Sequence, residues 1–139
     1  MYTNKSKILQ KYKSSEESFN KVRNGKEIIG AILNELERSL NIVADSIEKT
    51  KDWKPAEKDL NLKNKHFTKS LTAIYSLQTS LNFDEGEKIA SHLFQLYEYC
   101  RKQLIKGFSS KVVDGIRKAA NAIKGILEAW QEGILNAGK

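Results

Sequence analysis

Apolar residues recur every three or four positions in four separate runs between Ile28 and Ile134. That spacing is the period of an α-helix with one buried face, and no segment alternates with the period of two that a strand requires. The first run holds Ile28, Ile29, Ile32, Leu33, Leu36, Leu40, Val43, Ala44 and Ile47. It is expected to open at Asn24–Gly25, an N-cap with Glu27 close behind as an approximate capping box. It is expected to end near "KTKDWKP", because Pro55 disfavours helix at the residue before it and suits the first turn of the next helix.

The second run, from about Ala56 to Leu81, places Leu60, Phe67, Leu71, Ile74, Leu77 and Leu81 on one side. The "NFDE" turn follows, and Gly86 with its acidic neighbours opens the third helix at the end its dipole favours for carboxylates. The third buries Ile89, Leu93, Leu96, Cys100 and Leu104 and is expected to stop at "KGFSS", with Gly107 as the C′ residue. Ser109 or Ser110 then caps a fourth helix carrying Val112, Ile116, Ala119, Ile123, Ile126, Leu127, Trp130 and Ile134. Four amphipathic helices joined by short connections predict an all-α fold, an antiparallel up-down four-helix bundle. The expected organisation is a basic N-terminal leader over 1–24, flexible or lying in a groove, followed by the bundle over 25–136. The helices are placed at about 25–51, 56–81, 86–106 and 109–136.

Composition narrows the class. A chain of 139 residues with a single proline is long enough for one substantial core and too regular to be disordered. Cys100 is the lone cysteine, which excludes an intramolecular disulfide and points to a reducing, cytoplasmic compartment. No apolar run approaches a membrane span. The net charge of +7 is concentrated in two places. In the leader, Lys5, Lys7, Lys11, Lys13, Lys21 and Arg23 outnumber Glu16 and Glu17; over 49–69, seven lysines outnumber Asp52, Glu57 and Asp59. Such excess can steer an acidic partner or nucleic acid, although lysines with little arginine or aromatic interleaving make nucleic acid the poorer fit.

The templates for catalysis fail one after another. A bundle metal site of the di-iron kind needs a glutamate three residues before each of two histidines, and neither His66 nor His92 has one. Both histidines are expected on the surface. Cys100 falls on an apolar stripe, as a small buried hydrophobe rather than a nucleophile. Asp84, Glu85 and Glu87 cluster at a helix start, and "GFSSKVVDG" lacks the spacing of a phosphate loop. No cofactor, metal or enzymatic activity is expected.

What the core does not use is apolar surface. On the third helix Tyr97 projects to the flank of the stripe, Phe94 and Ile105 fall further round, and Tyr99 falls on the opposite flank. On the second, Tyr75 lies about a quarter turn from the stripe centre. Large apolar groups on one outer line make a patch that either meets a partner or is covered by the same chain.

The stretch "SLTAIYSLQTSLNFDEGEKIASHLFQLYEYCRKQL" is similar to the centre of the FliS family of flagellin-specific export chaperones. The residues that carry the likeness are Leu77, Ser80 and Leu81, the acidic turn with Asp84 and Gly86, then Ile89, Ala90, Leu93, Leu96, Tyr97 and Tyr99, and finally Leu127 and Trp130. They keep order and spacing over about half the chain. The family's usual opening of the first helix is absent, with "NGKEIIGAILNEL" in its place. The resemblance implies a cytosolic chaperone that binds the C-terminal region of flagellin as helices wrapping the bundle. It also implies a leader, with Tyr12, that covers the apolar surface until the client arrives. On this reading Tyr12, Tyr75, Phe94, Tyr97 and Ile105 contact the partner, Phe94, Tyr97 and Ile105 forming one line. Other flagellar export components are further candidate partners. The alternative is a basic bundle that binds an acidic protein or nucleic acid through the leader and the 49–69 region.

Overall fold

The computed structural model describes the backbone of residues 4–51, 55–84 and 86–137, and side-chain surroundings for residues 25–51, 55–84 and 86–133. Four helices account for nearly all of it: α1 (Asn4–Lys49), α2 (Glu57–Thr79), α3 (Glu87–Ser110) and α4 (Asp114–Ala137). Each consecutive pair runs antiparallel, as the cross-helix contacts show. Lys63, His66 and Lys69 of α2 bond in turn to Thr50, Ser39 and Glu35 of α1. Phe67 meets Phe108 while Gln78 meets Glu98. Cys100 faces Ala119, and Gly107 faces Ile116. The ring closes where Arg117 reaches Asn41 and Asp45, and Trp130 reaches Lys26. The result is an up-down four-helix bundle in which each helix neighbours the one before and the one after it.

The core follows the first and fourth stripes closely. Leu33, Leu36, Leu40, Val43, Ala44 and Ile47 of α1 are buried against Ile116, Ala119, Ile123 and Leu127 of α4 and against Ile74, Leu77, Cys100 and Leu104. Cys100 is a core residue, as expected, and burial pushes its thiol up to about 12, far from the thiolate a nucleophile needs.

Three boundaries differ from those the sequence suggests. Helix α1 does not open at Asn24–Gly25 but runs through both from Asn4. A residue that can cap a helix marks its start only if the backbone before it leaves the helical region, and one Asn and one Gly cost only about 1 kcal/mol each inside a helix. Helix α3 likewise continues past Gly107 to Ser110, and α4 begins at Asp114 rather than at the serines. Gly107 is therefore not a stop signal. A Cβ there would lie 2.5 Å from the Val112 carbonyl oxygen and 2.6 Å from Ile116 Cδ1, so the glycine lets the start of α4 fold back tightly on α3. Gly115 serves the same hairpin from the other side, where a Cβ would collide with the Gln103 side chain.

The left-handed residue that ends α3 is Lys111, at φ 58°. A residue with a Cβ is strained there, so Lys111→Gly is expected to stabilise the protein by about 1 kcal/mol. Chemical denaturation measures it; an unchanged midpoint would show that the turn carries no such strain.

Histidine 66 is the clearest departure in α2. Expected on the surface, it is buried in the seam with α1, where its Nδ1 and the Ser39 hydroxyl share a hydrogen bond of 3.0 Å. The line nearest α1 is Lys63, His66, Ser70, Ile74 and Leu77, whereas Phe67 and Leu71 are only half-buried. Phe67 leans toward α3, where it stacks on Phe108 at 3.9 Å, so polar residues hold the α1-facing line from Lys63 to Ser70 and apolar ones, Ile74 and Leu77, continue it. Burial, then the nearby Lys69, Arg38 and Lys65, holds the His66 pKa below its ordinary 6.5, with Glu35 opposing them weakly. The unfolded chain therefore binds the proton more readily than the folded one. The stability this contributes is complete above pH 6.5 and is lost progressively as pH falls from there through the lower folded value. Denaturant midpoints at pH 7.5 and 5.5 test this: His66→Gln should flatten the acid-side decline, and an equal decline in the variant would assign it to other groups.

Candidate partner-binding site

The hollow end of the bundle is formed where α1 enters the helical packing, α2 ends, α3 begins and α4 ends. A cavity of about 350 Å³ opens there. Ile29 supplies one wall, Ser80, Leu81 and Asn82 a second, Ile89, Ala90, Leu93 and Tyr97 a third, Ile126 and Trp130 the fourth. Trp130 is set by two features of α1. Its Nε1 donates a 2.6 Å hydrogen bond to the Lys26 carbonyl, and Gly30 leaves room for the indole, since a Cβ there would already touch it at 3.4 Å. On the α2–α3 turn, Asn82 Oδ1 accepts a bond from the Asp84 N–H, a local Asx turn that shapes the rim.

The third helix does not face the core in the phase its most apolar residues suggest. Ile89, expected inside, is 69% exposed, and Leu93 and Leu96 are half-buried. The inward line is instead Ala90, Tyr97, Cys100, Leu104 and Gly107. Tyr97 is thus a core residue at 3% exposure whose ring also floors the hollow, and burial raises its phenol to about 12. It does not share an outer line with Phe94 and Ile105. Those two, each 37% exposed and three turns apart, lie together on the edge of α3 that faces α2. Along that edge Gln78 of α2 donates to the Phe94 carbonyl at 3.5 Å and to Glu98 at 3.2 Å. Glu98 is gripped by Arg101 at 2.6 Å; that bond first, and Gln78 second, pull its carboxyl down to about 2.

Tyr75, on α2, is 68% exposed, and its helix position turns it toward the same α2–α3 seam. Tyr99 is on the far flank of α3, as projected, beside the α3–α4 turn. Tyr12 lies outside the residues whose surroundings are described. The structure adds two residues that projection did not single out: Ile89, and Phe83, whose ring lies 6.5 Å from that of Phe94. Phe83 belongs to a turn, where a periodicity argument says nothing. Ile89 is exposed on the rim of the hollow, and Phe83 with Phe94 forms a second exposed apolar patch at the α2–α3 seam.

Nothing in this surface suits bond-making chemistry. No group of three His, Cys, Asp or Glu residues able to hold a metal occurs among the described residues, and the hollow is lined without a histidine or carboxylate. His92 is exposed beside it, and no described helix is long and apolar enough to cross a membrane. The bundle leaves large apolar groups uncovered among the described residues. Its relationship is specific: the family described as "Flagellar protein FliS" matches residues 8–137, nearly the whole chain, and the chain belongs to that family. FliS proteins are flagellar export chaperones, not enzymes. No curated protein and no solved structure matches the chain. The match begins at residue 8, so it takes in most of the segment expected to form a separate leader.

Proposed function

We propose that this protein is a cytoplasmic chaperone that binds the C-terminal segment of flagellin and holds it as helices against the hollow and the α2–α3 seam. That segment keeps flagellin unpolymerised only while its apolar faces are covered, so sequestering them leaves the client competent for flagellar type III export. The observation that carries this reading is exposed apolar side chains in two places, Ile89 at the hollow and Phe83 with Phe94 at the α2–α3 seam, in a member of a flagellar chaperone family. Tyr75 and Ile105 extend the contact along the seam, and Tyr97 supports it from beneath. The leader over 1–24, with Tyr12, covers part of the surface until flagellin displaces it, and other flagellar export components dock on the loaded complex. Ordering the client costs several kcal/mol of the gross interaction, which keeps the complex releasable.

A flagellin C-terminal peptide is expected to bind the full chain one to one by calorimetry and to gain helicity by circular dichroism. An apolar interface should also keep most of its affinity as salt rises. No heat of binding together with no gain in helicity would reject the proposal.

A further inference from the structure

Charge is distributed unevenly along the bundle. Around the hollow, Lys26, Lys88 and Lys124 are outnumbered by Glu27, Asp84, Glu87, Glu128 and Glu132. At the other end, where α1 meets α2 and α3 turns into α4, lysines dominate. Lys49, Lys51 and Lys58 stand on one side and Lys106, Lys111 and Lys118 on the other, and Glu57, Asp59 and Asp114 occupy the first turns of α2 and α4. Asp45 and Glu48 are already engaged by Arg117, at 2.6 and 3.5 Å.

Two lysines at this end have unusual surroundings or backbone. Lys63 is 9% exposed and lies 5.4 Å from the centre of the Phe108 ring; its Nζ donates to Thr50 Oγ1 at 3.2 Å. Among the described residues no carboxylate lies within ion-pair distance of it. Burial, and after it the charge of Lys111, lowers its pKa. Lys111 itself is the one described non-glycine residue with positive φ. Between α3 and α4 a cavity of about 250 Å³ is lined by Tyr99, Gln103, Lys106, Val112 and Lys118, with Val112 exposed and Asp114 the one carboxylate against the two lysines.

We propose that this basic end is a second docking surface, for an acidic protein segment whose carboxylates meet Lys106, Lys111 and Lys118 and whose apolar side chain enters the cavity beside Tyr99 and Val112. A protein fits better than nucleic acid. The free cations are lysines, the arginine is taken by carboxylates, Glu57, Asp59 and Asp114 would repel a continuous run of phosphates, and one tyrosine is no stacking platform. A membrane fits worse still, with Val112 the main apolar group to insert. The surface lies at the opposite end from the hollow, so both occupants can be held at once. The inference stands apart from the flagellin reading.

The test uses the full chain and a fluorescein-labelled oligoglutamate peptide with one central leucine, followed by anisotropy at low and physiological salt. Lys106→Glu/Lys111→Glu/Lys118→Glu is expected to weaken binding by about 30-fold, and Lys26→Glu/Lys88→Glu/Lys124→Glu, with the same change in net charge, by less than about threefold. Equal losses from the two would mean that net charge alone attracts the peptide, and would overturn the proposal. So would tighter binding of a labelled single-stranded DNA or of phosphatidylcholine–phosphatidylserine vesicles than of the peptide. Lys111→Gly separates structure from binding: it should raise the melting temperature yet lower peptide affinity several-fold. Unchanged affinity in that variant would remove Lys111 from the site.

Discussion

Gly107→Ala is expected to destabilise the protein by about 2 kcal/mol and Gly107→Val by about 3 kcal/mol, although alanine is the better helix former. The added Cβ would meet a backbone oxygen, Val112 O at 2.5 Å, and the Ile116 side chain at 2.6 and 2.7 Å. The backbone oxygen cannot rotate away, because Val112 N–H is bonded back to the Gly107 carbonyl at 3.1 Å and closes the same turn. Ile116 is fully buried in the core, so its displacement disturbs its neighbours. The start of α4 must therefore shift, which loosens the α3–α4 contact as a whole. Gly125 is the control. It is exposed in α4 with nothing within 4 Å of where a Cβ would stand, so Gly125→Ala should stabilise by about 0.5–1 kcal/mol from helix propensity alone. Urea denaturation of the three variants decides the matter. A neutral or stabilised Gly107→Ala would mean that the hairpin has slack the close contacts deny.

Ile89→Glu combined with Phe94→Glu is expected to weaken binding of a flagellin C-terminal peptide by about 100-fold, near 3 kcal/mol, with little change in the stability of the free chaperone. Ile89 is mostly in water and Phe94 lies at the surface beside Phe83, so the free protein loses less burial than the complex does. In the complex each carboxylate would be desolvated against an apolar client face without a partner. Tyr99→Glu, on the far flank of α3, should leave client affinity within about twofold. Calorimetry on the three proteins measures this. A double variant that binds like the parent would show that the client uses another face.

The two variants also mark where the sequence was readable. Helices α1 and α4 carry apolar residues on a line wide enough that the phase is unambiguous, and Leu33, Leu36, Leu40, Val43, Ile47, Ile116, Ile123 and Leu127 are all buried as their spacing predicts. In α2 and α3 the same logic places Ile74, Leu77, Cys100 and Leu104 inside, as they are, but also puts Phe67, Leu93 and Ile89 on the buried line, where they are not. Close approach between helices favours small or slim residues at the contact line, here Ser70 opposite α1 and Ala90, Cys100 and Gly107 on α3. The large residues are displaced to the flanks, which half-buries Phe67 and Leu93 and leaves Ile89 outside. That displacement moved Tyr97 inward and separated it from Phe94 and Ile105. It also drew His66 out of the solvent, because a polar residue with a hydroxyl partner across the seam can be buried where an apolar one is not required.

The sequence by itself determined that the chain is an all-α bundle of four helices, that its lone cysteine is inert core, and that apolar surface exceeds what the core consumes. It did so because a 3.6-residue repeat and its interruptions are properties of each segment alone. Only the tertiary structure decided which rings are free to meet a partner, that Gly107 is a packing contact rather than a helix end, and that Lys63 is buried under the Phe108 ring. Those depend on the rotation of each helix about its axis and on the distance between helices. Both are settled by the fit of side chains from several helices at once, which no segment encodes separately.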